Sequence, residues 1–324
     1  MKQERMKLLA KIAYLYYMEE KSQSEIATET GIYRTTISRM LAEAKKEGIV
    51  KIEIKNFDTH LFHLENYVRE KYSLKGLELV TNGLEESAAS LEQKFAQAAA
   101  NVLKGLLDDE MKIGFSWGKT LSLLVENLGN RRLNNVHFFP LAGGPSHINA
   151  RYHVNTLIYN MAFKCHGECT FINATIVQES QKLAEGILSS KYFEDLKRSW
   201  QELDLAVVGI GGQVDVNNRQ WLDMLTANDF ANLKQRQAVG EICCRFFDGE
   251  GQSVYPNLQD RTIAISLEGL KKVPNRLALA YGDYKAEAIL SVLRAGYINH
   301  LVTDEQTILK VLAMDNDSTF TKFS

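Results

Sequence analysis

Two rhythms of apolar positions divide the 324-residue chain. Near its start the rhythm is helical. Leu8, Ile12 and Leu15 recur at helical spacing and predict a helix over 4–19. Ser22 and Glu25 have the S-x-x-E spacing of a capping box, which predicts a second helix from Gln23 with Ile26 and Ala27 facing inward. Gly31 stands where the chain must turn, since glycine takes positive φ at little steric cost. A third helix follows over 33–46. In it Ile37, Met40, Leu41 and Ala44 fall at i, i+3, i+4 and i+7, one buried stripe. GIVKIEIKN (48–56) alternates apolar and charged residues, which predicts a half-buried strand after a glycine that ends the third helix. Residues 58–72 return to a helical pattern, with Leu61, Leu64 and Val68 on one face, as a connector or dimer contact.

From Leu77 the rhythm changes. Short apolar runs alternate with helical segments: LELV (77–80), KIGF (112–115), VHFFPLA (136–142), LAVVGIG (205–211), RTIAISL (261–267), RLALAY (276–281) and INHLVT (298–303). Runs of this kind, flanked by glycine and separated by helices, predict a doubly wound α/β sheet. The expected organisation is a helical domain over 1–56, a connector helix over 57–76 and an α/β domain over 77–324. DNDSTFTKFS (315–324) reads as a frayed tail.

Charge sharpens this division. The whole chain carries −2, but residues 1–56 hold 11 Lys+Arg against 8 Asp+Glu, and the remainder 27 against 32. The basic end is the helical one, as contact with nucleic acid requires. No run of about 18 apolar residues predicts a membrane span. MKQERMKLLAK lacks the apolar run of a secretory signal, and four cysteines, two of them adjacent, make no disulfide framework, so the cytoplasm is expected. Cys165, His166 and Cys169 cluster, but no second ligand pair lies at a zinc-like distance, and neither metal nor cofactor is expected.

Two regions carry candidate chemistry. Ala27, Gly31 and Ile37 stand at the spacing of a helix-turn-helix. The buried stripe leaves Tyr33, Arg34, Thr35, Ser38 and Arg39 outside, at the helix end that such a motif points at bases. With Gln23 and Thr36 they form the candidate DNA contacts; an ordinary helical hairpin with a polar face is the alternative. In the α/β part, ligands are expected on loops beyond the carboxyl ends of strands. KIGF is followed by SWGKT (116–120) and a helix, a recipe for holding an anion, or else a plain βα turn. GGPS (143–146) follows VHFFPLA, and GIGG ends at Gly212. Asp248 sits in a turn, where aspartate is also a common turn former. Lys285 falls in the first turn of a predicted helix beside a glycine loop, where a solvated lysine is the default.

The N-terminal reader, GFSWGKT, GGPS, VGIG, CCRFFDGEGQ, YGDYKAEAI and YINHLVTD occur in the order found in the SorC-type sugar-binding transcriptional regulators, and the chain resembles that family over nearly its whole length. The resemblance implies a large domain like the glucosamine-6-phosphate isomerase/deaminase fold. It also implies a dimer of dimers, operator DNA as partner, and a sugar or sugar-phosphate effector, L-sorbose or a related ketose or polyol. By position, Ser116, Gly118, Lys119 and Thr120 would hold a phosphate or sugar head, Gly143 and Gly144 would floor the pocket, and Asn155, Asp248 and Lys285 would be polar contacts. Gly114, Trp117, Gly209 and Gly211 complete the set. An enzyme of the deaminase fold is the first alternative, but such enzymes carry a G-I-G-x-D-G-H loop. GIGGQVDVNN has no histidine for that proton relay. The second alternative is a DNA-binding protein whose large domain only oligomerises.

Overall fold

Residues 2–52, 58–81, 87–145, 149–214 and 224–320 are described by the computed structural model, in two units, Met1–Asp58 and Thr59–Ser324. The small unit is built on α1 (Lys2–Tyr17), α2 (Gln23–Thr30) and α3 (Arg34–Lys46). The Glu25 N–H donates to Ser22 Oγ at 3.3 Å, and the Ser22 N–H donates to Glu25 Oε2 at 2.8 Å, so the capping box closes in both directions. Gly31, at φ +68°, ends α2 in the left-handed region. Ile37, Met40, Leu41 and Ala44 are buried and share a core with Ile26, Leu9, Ile12, Ala13 and Leu15.

Two expectations change in this unit. Leu8 is 39% exposed, and Leu9 is buried in its stead. Leu9, Ile12 and Ala13 form the i, i+3, i+4 stripe of α1, and Leu8 lies about 100° round the helix from it. The described part of 48–56 is not a strand. Gly48, at φ +70°, turns the chain back so that the Ile49 and Val50 amides donate to the Ala44 carbonyl, capping α3. Residues 53–56 lie outside the described residues.

The large unit alternates strands and helices. Its strands are β1 (Gly76–Val80), β2 (Lys112–Phe115), β3 (His137–Pro140), β4 (Glu168–Cys169), β5 (Leu205–Gly209), β6 (Gly240–Ile242), β7 (Arg245–Phe247), β8 (Asn275–Leu279) and β9 (His300–Asp304). Its described helices are α4 (Thr59–Lys71), α5 (Ala88–Leu106), α6 (Lys119–Asn127), α7 (Val154–Cys165), α8 (Gln181–Leu188), α9 (Lys191–Gln201), α10 (Ala227–Gln235), α11 (Pro256–Asp260), α12 (Leu267–Lys272), α13 (Ala286–Ala295) and α14 (Glu305–Met314). Seven strands form one parallel sheet in the order β1-β9-β8-β5-β2-β3-β4. β6 and β7 form a separate antiparallel hairpin. Leu205–Val208 and all of β9 are buried, as expected of parallel strands covered on both faces. No described helix is long and apolar enough to cross a membrane.

Three further expectations change. RTIAISL (261–267) makes isolated antiparallel bridges, Thr262 to Val177 and Ala264 to Ala142, because it meets single residues of neighbouring loops and no strand. The connector expected over 57–76 is part of the large unit: Leu64 and Val68 of α4 are fully buried in its core, and α4 packs on β1. The tail is tied down as far as it is described. Tyr72 Oη donates to Asp315 at 2.8 Å, Lys71 Nζ pairs with Asp317 at 2.6 Å, and the Phe320 ring packs on Tyr67. Residues 321–324 lie outside the described residues.

Candidate functional site

The strand order reverses at one place. From β2 the chain proceeds outward to β3 and β4, then resumes with β5 on the other side of β2 and continues to β8 and β9. Connections that leave β2 and β5 in opposite directions open a crevice beyond their carboxyl ends. A cleft of about 340 Å³ lies there. Ser116–Leu121 line it from the end of β2, Gly209–Gly211 from the end of β5, and Tyr281, Tyr284 and Lys285 from the segment after β8. Glu241 of β6 and Cys243 reach it from the hairpin.

Local chemistry explains each wall. Gly118, at φ +131°, takes the N-cap position of α6, a conformation that side chains resist. Its own N–H is committed to the Tyr152 carbonyl at 3.0 Å, while the first amides of a helix have no intrahelical acceptor and are available to an anion or hydroxyl. Ser116 is buried, and its Oγ accepts from the Gly209 N–H at 3.4 Å, joining the β2 and β5 loops. Lys285 ends a short 3₁₀ turn, Asp283–Lys285, immediately before α13. Its Nζ lies 5.7 Å from the Tyr284 ring centroid.

Each lysine of the cleft has a carboxylate near it. Lys119 Nζ pairs with Glu92 of α5, and Glu92 Oε1 also accepts from Tyr281 Oη at 3.0 Å. Lys285 has Glu241 in its electrostatic neighbourhood. Burial pushes the Lys285 ammonium below its ordinary value, and Glu241 opposes that shift. Burial pushes the Glu241 carboxyl up to about 7, against a hydrogen bond from the Cys244 N–H at 2.7 Å and the Lys285 charge. Glu241 thereby also braces the two-residue turn of the hairpin. Both its residues, Cys243 and Cys244, have positive φ, of 54° and 60°. Burial raises both thiols above the ordinary range, so neither is an activated nucleophile.

The structure brings Ser116, Trp117, Gly118, Lys119, Thr120, Gly209, Gly211 and Lys285 together at this cleft. Five expected site residues are not among its lining, and each has a packing or turn explanation. A Cβ on Gly114 would lie 2.4 Å from Leu141, and one on Gly143 would lie 2.7 Å from the Thr175 backbone. A Cβ on Gly144 would lie 2.0 Å from His153 Nε2. These glycines serve close approach. The Asn155 carboxamide donates to the Ile172 carbonyl and accepts its N–H, both at 2.9 Å, which uses it as a cross-link. Asp248 Oδ1 accepts from the Glu250 and Gln252 amides within its own turn. Ser146 lies outside the described residues.

Sequence reasoning missed Glu241, Cys243, Tyr281, Tyr284 and Glu92. Glu241 had a signal: it is one acidic residue inside the apolar run VGEICC. Glu92 had none, because α5 delivers it from far along the chain. In the small unit, Tyr33, Arg34, Thr35, Thr36, Ser38 and Arg39 are all exposed, Tyr33 to 84%, and Gln23 is half-buried. The exposed set leaves four hydroxyls and two guanidinium groups on the outer side at the start of α3.

The chain is similar to known proteins along nearly its whole length. The sugar-binding domain family (Sugar-bind) matches residues 58–313. The Sorbitol operon regulator of Klebsiella pneumoniae is 36% identical over 93% of this chain and 96% of its own. The chain belongs to the SorC family of sugar-binding transcriptional regulators. A solved transcriptional regulator from Streptococcus pneumoniae TIGR4 is 62% identical, with TM-score 0.78, over 81% of this chain and 100% of that one. The full-length Sorbitol operon regulator structure from Klebsiella pneumoniae is 34% identical, with TM-score 0.74, over 95% and 99%. The Deoxyribonucleoside regulator of Bacillus subtilis is 27% identical over 95% of this chain. The relatives' names thus point to different compounds, sorbitol and deoxyribonucleosides, and membership alone does not choose among them.

Proposed function

We propose that this protein is a sugar-responsive transcription factor whose small unit reads operator DNA and whose large unit binds the controlling sugar in the cleft beyond β2 and β5. One observation carries the reading: a chain of the SorC family places hydroxyl, amide, ammonium and carboxylate groups around the switch-point cleft of a parallel sheet. Such a cleft suits a polyhydroxylated ligand, which needs donors and acceptors on several sides. A phosphate or terminal hydroxyl would meet the first amides of α6 and the Thr120 hydroxyl. Lys285 and Glu241 would take hydroxyls at the other end. α2 and α3 act as the helix-turn-helix, with α3 in the major groove and Arg34, Thr35, Ser38 and Arg39 toward bases. The glycine loop GIGGQVDVNN has no histidine for a deaminase-type proton relay, which favours binding over catalysis. A half-site reader needs a dimer for useful specificity, so a homo-oligomer, a dimer of dimers, is part of the proposal.

The test is a thermal-shift panel of ketoses, polyols and their phosphates, L-sorbose and D-glucitol included. A ligand at 100 times its Kd stabilises by about 2.7 kcal/mol, a resolvable shift. The hit must also change affinity for operator DNA, and Thr120→Ala must weaken the hit about tenfold, the loss of one hydrogen bond to a charged or strongly polar group. A panel without hits, or a hit indifferent to Thr120, refutes the site.

A further inference from the structure

The cleft has an unusual charge balance for a site built around a helix N-terminus. Lys119 opens α6 and stands at the mouth, yet its ammonium is already paired with Glu92. The same Glu92 oxygen accepts the Tyr281 hydroxyl at 3.0 Å. One carboxylate of α5 thus holds two lining groups, one after β2 and one after β8. Its place is fixed from the same helix: Phe95, three residues on, is buried against the Tyr281 ring with centroids 4.6 Å apart. Glu92 is itself only partly exposed, and the Lys119 ammonium holds its carboxyl below the usual range, so it stays ionised near neutrality.

An incoming ligand meets this arrangement in one of two ways. A neutral polyol can hydrogen-bond to the Tyr281 hydroxyl and the α6 amides without breaking the pair. An anion seeking Lys119 must compete with a carboxylate already there, and it approaches that carboxylate's own charge. We propose that Glu92 is a specificity-determining residue: by occupying Lys119 it biases the cleft toward neutral sugars and polyols over phosphorylated ones. The proposal rests on the cleft being the effector site.

The size of the bias follows from exposure. The Lys119 side chain is 55% exposed, and exposed pairs couple weakly. Glu92→Gln keeps an acceptor for the Tyr281 hydroxyl and removes only the charge. It should therefore tighten binding of inorganic phosphate and of D-glucitol 6-phosphate by about fivefold at low ionic strength. Binding of neutral D-glucitol and L-sorbose should stay within about twofold, a change too small to implicate a lost contact.

Isothermal titration of the 324-residue protein with these four probes decides, using wild type, Glu92→Gln, Lys119→Met and the double variant. The expected result is a gain for the two phosphates in Glu92→Gln that vanishes in the Lys119→Met background. Equal change for neutral and phosphorylated probes, no gain for the phosphates, or a gain that survives without Lys119 overturns the proposal. If wild type binds a probe and Thr120→Ala leaves that binding untouched, or if no probe binds any of the four proteins, the assignment of the cleft fails first and the proposal falls with it.

Discussion

Glu241 offers the sharpest test of the electrostatics of the cleft. It is 9% exposed, at the start of a turn with two consecutive left-handed residues, and burial raises its carboxyl from 4.5 to about 7. A carboxyl raised in the folded state binds its proton more tightly there than in the unfolded chain. Its contribution to stability is therefore fully present below about pH 4.5 and is lost as pH rises through about 7. Each pH unit in that window is worth about 1.4 kcal/mol, so from pH 5 to pH 8 the wild type should lose roughly 2–3 kcal/mol through this one group. Glu241→Gln retains an oxygen acceptor for the Cys244 N–H but cannot titrate. Urea denaturation of both proteins at pH 5, 6, 7 and 8, without sugar, isolates the effect. Histidines such as His300, held down to about 4 by burial, contribute equally to both and cancel in the difference. The variant should be the less stable or equal protein at pH 5 and gain roughly 2–3 kcal/mol relative to wild type by pH 8. Parallel pH profiles would show that Glu241 is solvated or fully compensated by Lys285, and the burial-driven rise of its carboxyl would be wrong.

Two further outcomes concern the small unit. Arg39→Ala should reduce specific operator affinity by about 1–3 kcal/mol, with a smaller loss on non-specific DNA, in binding titrations at fixed salt; equal loss on both would reduce Arg39 to a phosphate contact. Ile37→Ala, at a fully buried position of α3, should cost the small unit about 2–5 kcal/mol. Calorimetry should show its transition falling while sugar-induced stabilisation of the large unit persists, and an unmoved transition would contradict the packing of α3 on α1 and α2.

What the amino-acid sequence revealed, and what it concealed, follows from the range of each interaction. The Ser22–Glu25 capping box spans three residues and the α3 stripe spans two turns, so both could be read from spacing alone. Strands β2, β3, β5, β8 and β9 announced themselves by apolar runs, as strands covered on both faces do, and edge strand β1 by the apolar residues on either side of its exposed Glu78. The loops after β2, β5 and β8 were then placed at the cleft by the sheet's logic alone. Errors fell where a polar side chain has a partner that spacing does not name. Asp248 satisfies amides two and four residues ahead, and Asn155 satisfies both backbone groups of Ile172, so each has a local structural role away from the cleft. Asp315 and Asp317 look solvated in the sequence, yet they pair with Lys71 and Tyr72 of α4, more than two hundred residues earlier.

The charge of the cleft was the least legible property of all, because it too depends on partners that spacing does not name. Lys119 and Lys285 were visible as cations beside glycine loops, which invited an anionic ligand. Their partners Glu92 and Glu241 arrive from α5 and β6, elements that no local pattern connects to those loops. A lysine beside a helix N-terminus therefore says little about ligand charge until the opposing carboxylate is found. Here Lys119 is paired with Glu92 and Lys285 has Glu241 in its electrostatic neighbourhood, so under the proposed reading a phosphate meets carboxylates as well as lysines.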